Sequence, residues 1–177
     1  MNLYVARHGQ TIYNFHNKVC GITDLELVEQ GVKQAYQLSE QLLNSNINLI
    51  ISSPLKRAVA TAQIISEQIN ASYIIDSRLT EQNYGIYEGA LRNNPDFKNT
   101  KKNLSYRLPE GESVFQVVQR VYNFLDEVTF KYANLNVLII SHGGVCRVIK
   151  SYFEDMTTDE YNSYRLENCA LEHFIIQ

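Results

Sequence analysis

Two apolar runs in this chain each end in a His-Gly pair. Leu3-Tyr4-Val5-Ala6 leads into Arg7-His8-Gly9-Gln10-Thr11, and Val137-Leu138-Ile139-Ile140 leads into Ser141-His142-Gly143-Gly144. A third run, Leu49-Ile50-Ile51, opens into Ser52-Ser53-Pro54-Leu55-Lys56-Arg57, and Leu79-Thr80-Glu81 follows shortly after Tyr73-Ile74-Ile75. A histidine at a strand terminus is held rigidly, as an attacking group must be. Arg7 and Arg57 offer planar forks that match tetrahedral oxyanions bidentately. Gly9 and Gly143 let backbone approach a ligand without a Cβ in the way, and a helix opening at Ser53-Pro54 would add a positive dipole end. Taken singly, a strand-end His, an Arg or a loop Glu is usually structural or solvated. Their joint arrival at successive strand ends points to a site for phosphate or another compact anion. His16, in a polar loop, and His173, inside the last strand, lack that placement and take no role.

The elements that must position these groups alternate along the chain. After the first strand, Val28, Val32, Ala35, Leu38 and Leu42 form one stripe of a helix. A second helix is expected from Ser53-Pro54, as N-cap and first turn, to about Ile69. Ser113 and Gln116 read as a capping box before a helix carrying Val114, Val117, Val121, Phe124, Leu125 and Val128. A helix from Gly144 to about Phe153 follows the buried strand Val137 to Ile140, and Thr157 with Glu160 caps a short one. The last strand is expected at Ala170 to Ile176. Strands alternating with helices predict an α/β fold, a three-layer αβα sandwich with a mostly parallel central sheet. Residues 82–111, with Asn-rich turns, Pro95 and Pro109, read as an irregular, lid-like excursion from one domain spanning 1–177. Ligands of open α/β sheets bind beyond the carboxyl ends of the strands, where the groups above converge.

Composition excludes several classes. The 177 residues carry 16 Lys+Arg against 19 Asp+Glu, a net charge of −3, with pI near 5.8. That argues against nucleic acid as a partner, since such domains are strongly basic or carry a basic face. No apolar run approaches a membrane span, and Met1 to Arg7 does not read as a signal peptide, so a cytoplasmic protein is expected. Cys20, Cys146 and Cys169 are odd in number and widely spaced, and read as small core or loop hydrophobes. No third ligand joins His8 and His142 at metal-binding spacing, and no glycine-rich nucleotide loop occurs, so neither metal nor cofactor is expected. The apolar last strand offers an edge for a homodimer contact.

Arg7-His8-Gly9, followed by Thr11 and Asn14, resembles the signature of the histidine phosphatase superfamily, whose fold is phosphoglycerate mutase-like. Gly21, Asp24, Leu27, Gly31 and Gln34-Ala35 resemble the stretch after that signature. Ser53 to Ala58 with Thr61-Ala62 resembles the second-arginine segment, and Leu79-Thr80-Glu81 with Gly85 and Glu88-Gly89 the acid-carrying one. Glu110 to Ser113 and Ser141 to Gly144 complete the order. Val28 departs from the pattern, standing where many members have Thr. The stretch Ala90 to Leu108 is short beside the insertion of the superfamily's phosphoglycerate mutases, which favours the phosphatase branch.

The resemblance implies a phosphomonoesterase acting on a small phosphorylated metabolite, such as a sugar phosphate or a ribazole phosphate. His8 would be the nucleophile and Glu81 the general acid and base, while Arg7, Arg57 and a protonated His142 would stabilise transferring charge. Asn14 and Thr11 would add neutral hydrogen bonds to substrate, beside the backbones of Gly9 and Gly143. The residues themselves leave the excursion with Arg92, Lys98, Lys101, Lys102 and Arg107 as either a solvated loop or a cationic lid over the substrate. A phosphoglycerate mutase is the alternative, and a non-catalytic phospho-ligand binding module the third reading.

Overall fold

The computed structural model describes residues 1–176. Strands β1 (Asn2–Arg7), β2 (Leu49–Ser52), β3 (Ser72–Ile75), β4 (Asn136–Ser141) and β5 (Leu171–Ile175) form one sheet in the order β3-β2-β4-β1-β5. The first four are parallel, and β5 runs antiparallel along β1. Alternation along the strands feeds two cores. Leu3, Val5, Val137 and Ile139 pack against α5 (Val114–Lys131) and α6 (Gly143–Phe153). Ala6, Ile50, Leu138 and Ile140 face the other way, onto α2 (Glu29–Leu42) and α3 (Lys56–Ile69). The result is three layers, and β4, covered on both faces, is apolar over four consecutive positions. Among the described residues no helix is long and apolar enough to cross a membrane.

Local signals acted where expected for α5 and for α7 (Thr158–Ser163), both opened by capping boxes, Ser113 with Gln116 and Thr157 with Glu160. Three expectations change. Helix α3 starts at Lys56 rather than at Pro54, because the Asp24 carboxylate accepts the Lys56 amide at 2.8 Å and supplies the cap from another loop. Thr11 and Asn14 form an unanticipated capping box on α1 (Ile12–Phe15). The excursion 82–111 is not irregular throughout. Asn94 caps α4 (Pro95–Lys101), whose Phe97 joins Val19, Tyr84 and Leu108 in a small separate core. Seven residues with one buried side chain show no apolar period, so the sequence pattern misses this helix.

Register delivers the strand ends to one place. Arg7 pairs with Ser141 and Ser52 with Ile140. The ladder continues one residue further, with the His8 amide on Ser141 O (2.9 Å) and the Ser53 amide on Ile140 O (3.0 Å). His8, Ser53 and His142 therefore leave three adjacent strands side by side.

Candidate active site

His8 and His142 are buried with ring centroids 5.0 Å apart, and the fully buried Arg57 reaches both. Its Nε–H lies 3.1 Å from His8 Nε2 and 3.2 Å from His142 Nδ1. Guanidinium nitrogens only donate, so both ring nitrogens present lone pairs. His8 Nδ1, 2.7 Å from the Gly9 carbonyl, carries the ring proton and donates it there. His142 Nε2, 2.7 Å from Ser53 Oγ, carries the other and donates to that hydroxyl. Both rings are held neutral. Burial first, and then Arg57, push each imidazole well below its ordinary range. The expectation of a protonated His142 is therefore corrected: a second N–H would point at Arg57.

Glu81 sits on the loop after β3, and its buried carboxylate takes backbone donors on both oxygens. Gln82 N–H reaches Oε1 and Gly144 N–H reaches Oε2, each at 2.9 Å. A Cβ on Gly144 would lie 2.5 Å from Glu81 Oε1, so the absent side chain is what lets the acid dock on the first turn of α6. A Cβ on Gly143 would meet the Arg7 side chain at no closer than 3.7 Å, ordinary contact. Gly9 is also not a ligand-approach glycine, since a Cβ there would strike Gly31 O of α2 at 2.4 Å. The helix end facing the cavity is that of α6, whose Gly143 and Gly144 line it, whereas the first amide of α3 is taken by Asp24.

Asn14 lines the cavity with its oxygen already occupied by the Thr11 amide and hydroxyl (3.1 Å each) and Asn168 Nδ2 (3.3 Å). Its amide NH2 remains to face a ligand. Thr11 is fully buried and does not line the cavity; its hydroxyl orients Asn14 instead of meeting a ligand. Asn168 also donates to the His8 carbonyl at 2.8 Å, a tie that no local motif announces. Arg7 gives Nη1 to Leu166 O (2.9 Å), and its Nε has no partner among the described residues.

The cavity, about 340 Å³, is lined by Arg7, Arg92, Lys98, Lys101, Arg147 and Arg165 against the single carboxylate of Glu81 among the described residues. Arg92, Lys98 and Lys101 belong to the excursion. Arg147, on α6, and Arg165, just before β5, escape a motif-by-motif reading. Lys102 and Arg107 are not among the lining residues. The Arg147 Nε is buried without a partner among the described residues, and Lys101 Nζ stands 4.9 Å over the Tyr84 ring and 5.4 Å over that of Phe97. Burial, then Arg147, lower Lys101 to about 7. Cys20 also lines the cavity, its thiol pushed up by burial. Cys146 and Cys169 lie in the two cores. No cluster of three His, Cys, Asp or Glu side chains placed to hold a metal occurs among the described residues.

A family model described as "Histidine phosphatase superfamily (branch 1)" matches residues 3–177. The chain belongs to that superfamily. Among related sequences, the "Probable phosphoglycerate mutase GpmB" of Erwinia tasmaniensis is 31% identical, over 97% of this chain and 83% of that protein. Among solved structures, Bacillus stearothermophilus YhfR superposes with a TM-score of 0.89 at 26% identity, covering 99% of this chain and 91% of that one. A mycobacterial glucosyl-3-phosphoglycerate phosphatase in complex with VO3 gives a TM-score of 0.87 at 25% identity, covering 97% and 90%. The match thus extends through the excursion, which carries Arg92, Lys98 and Lys101, and through α6 and the approach to β5, which carry Arg147 and Arg165.

Proposed function

We propose that this protein is a phosphomonoesterase that hydrolyses a small phosphorylated metabolite through a phosphohistidine on His8. The observation that carries this reading is the locked tautomer. With Nδ1–H committed to the Gly9 carbonyl, the His8 lone pair sits on Nε2, beside a cationic cavity. Nε2 attacks phosphorus in line and the bond to the leaving oxygen breaks as Glu81, entering the cycle as the carboxylic acid, protonates it. Glu81 then takes a proton from the water that cleaves the N–P bond, returning the ring to its starting state. Arg57 and Arg7 bind the equatorial oxygens, the Arg57 Nε–H passing from His8 to phosphate as the lone pair is used. The two arginines supply the positive charge a metal would otherwise bring, so turnover is expected to persist in excess chelator.

A phosphoryl group is neutralised by the inner pair of arginines. The outer cations, Arg92, Lys98, Lys101, Arg147 and Arg165, favour a substrate with a second compact anion, a carboxylate or another phosphate. Sugar phosphates, phosphoglycerates and ribazole phosphate make the panel on which kcat/KM ranks candidates. The name of the mycobacterial neighbour, a phosphatase of a phosphoglycerate derivative, is compatible with that choice.

Trapping tests the chemistry. After turnover of labelled substrate and an alkaline denaturing quench, in which an N–P bond survives, label is expected on His8; label on Ser, Cys or Asp would refute the mechanism. The name of the Erwinia relative favours a second reading, a phosphoglycerate mutase, in which His8 returns its phosphoryl group to substrate. Incubation with 3-phosphoglycerate separates the two: release of inorganic phosphate supports the phosphatase, and primed isomerisation without release the mutase.

A further inference from the structure

Glu88 lies outside the cavity lining, on the turn after Tyr84, yet its carboxylate gathers five donors. Three are successive amides, Gly21 (3.0 Å), Ile22 (3.1 Å) and Thr23 (3.3 Å). The Thr23 hydroxyl (2.6 Å) and the Tyr84 amide (3.1 Å) complete the set. Consecutive amides converging on one anion form a nest, and here the anion is the chain's own side chain. In a trans peptide the N–H and C=O point opposite ways, so seating the Ile22 amide on Glu88 aims the Gly21 carbonyl away from it, at Arg57. Gly21 O accepts Arg57 Nη2 at 2.7 Å and Thr23 O accepts Nη1 at 2.8 Å. With both Nη groups of a planar fork fixed, the direction of Nε–H is fixed too, onto His8 and His142. The packing leaves no slack, because a Cβ on Gly21 would fall 2.1 Å from Glu88 Oε1 and 2.2 Å from Gln82 O.

We propose that Glu88 is a positioning residue that aims Arg57 at the two histidines through the 21–23 loop. Its kinetic consequence rests on the phosphatase reading, whereas its geometric one does not. The test is Glu88→Gln, which keeps the shape and removes the charge the amides require, alone and combined with Arg57→Ala. Turnover of p-nitrophenyl phosphate is expected to fall about tenfold to a hundredfold in kcat, the scale of a misplacement near 1 Å, with KM changing less than about threefold. On the Arg57→Ala background the same change is expected to cost less than about twofold, because the residue it acts through is gone. An unchanged kcat in folded Glu88→Gln, or an equal loss on both backgrounds, would overturn the proposal. ¹⁵N resonances of the His8 and His142 rings give the readout that needs no turnover. Glu88→Gln is expected to move both, and unmoved rings refute the proposal even if the wild type proves inactive. Should Glu88→Gln not fold, Thr23→Val removes one donor from the nest and is read in the same way, with a smaller shift in the same direction.

Discussion

The two ends of the cavity differ in how their charges are held. At the inner end, Glu81 is tied by two amides and His8 by the Gly9 carbonyl, and Arg57, fully buried behind them and not among the lining residues, is tied by two carbonyls and two imidazoles. At the outer end, Arg147 and Arg165 also rest on backbone carbonyls, those of Asn162 and Tyr164, but Lys98 and Lys101 meet no carbonyl and form no ion pair among the described residues. Lys101 there is met by aromatic faces rather than by a carboxylate. The inner groups are preorganised for one geometry, as transition-state stabilisation demands. The outer groups repel one another until an anion arrives, as a specificity region demands. Rate is expected to reside at one end and substrate choice at the other.

The largest effect that would break this division is at the nucleophile. His8→Ala is expected to cost at least about 10⁴-fold in kcat, the order lost with a covalent nucleophile; wild-type turnover of p-nitrophenyl phosphate by the purified variant would remove His8 from the chemistry. Next comes Arg57→Ala, at about 10²–10³-fold, by analogy with deleting one oxyanion donor. A loss confined to KM would mean that the inner end merely binds.

Legibility in the sequence crosses that division unevenly, since Arg92, Lys98 and Lys101 at the outer end also read as a cationic lid. The inner groups ride on strand ends and helix starts, whose apolar runs and caps are visible, and register then brings Arg7 beside Ser141 without further information. The tautomer lock was not legible, since a backbone carbonyl, that of Gly9, supplies it. Nor was the Asp24 cap on α3, which comes from another loop. Outer cations such as Arg165 reach the cavity through α4 and the approach to β5, segments with too few buried side chains to carry a period. His142 misled for a different reason. A phosphate-facing position suggested a charged ring, but burial and the Arg57 N–H decide otherwise in the free protein.

Neighbouring glycines sharpen the comparison at smaller amplitude. Gly144→Ala forces a Cβ against Glu81 Oε1 at 2.5 Å, so the acid must move, and a loss of about tenfold to a hundredfold in kcat is expected. Gly143→Ala meets the Arg7 side chain at no closer than 3.7 Å and is expected to stay within about threefold. Steady-state kinetics of the pair decide, and equal losses would mean that the glycines serve backbone conformation rather than the acid.

Acid stability probes the neutral pair. His8 and His142 are lowered in the folded state, so the unfolded chain binds protons first as pH falls below its imidazole value near 6.5. The stability these rings contribute is therefore full above about pH 6.5 and lost on acidification toward their folded values. With both rings the slope approaches about 2.7 kcal/mol per pH unit, a fall in Tm of roughly 5–10 °C per unit for a chain of this size. Melting curves of the ligand-free protein between pH 7 and 5.5 measure it, and His142→Asn is expected to halve the slope. A flat Tm across that range would mean that the rings charge freely in the folded protein.

The smallest effect concerns the outer end and is read in KM. Lys101, lowered to about 7 by burial and by Arg147, is half neutral near pH 7 when the cavity is empty. An anion binds its protonated form, so each step above pH 7 adds the cost of putting the proton back. For a substrate with a second anion, KM is expected to rise about fivefold between pH 7 and 8, on this titration alone. For p-nitrophenyl phosphate, which has no second anion to place against Lys101, it should stay nearly flat over the same unit. Lys101→Gln should raise KM for the first substrate at pH 7 and remove its pH dependence, leaving kcat for p-nitrophenyl phosphate within about twofold. The same pH slope for both substrates would place Lys101 with the inner machinery and erase the boundary between the two ends.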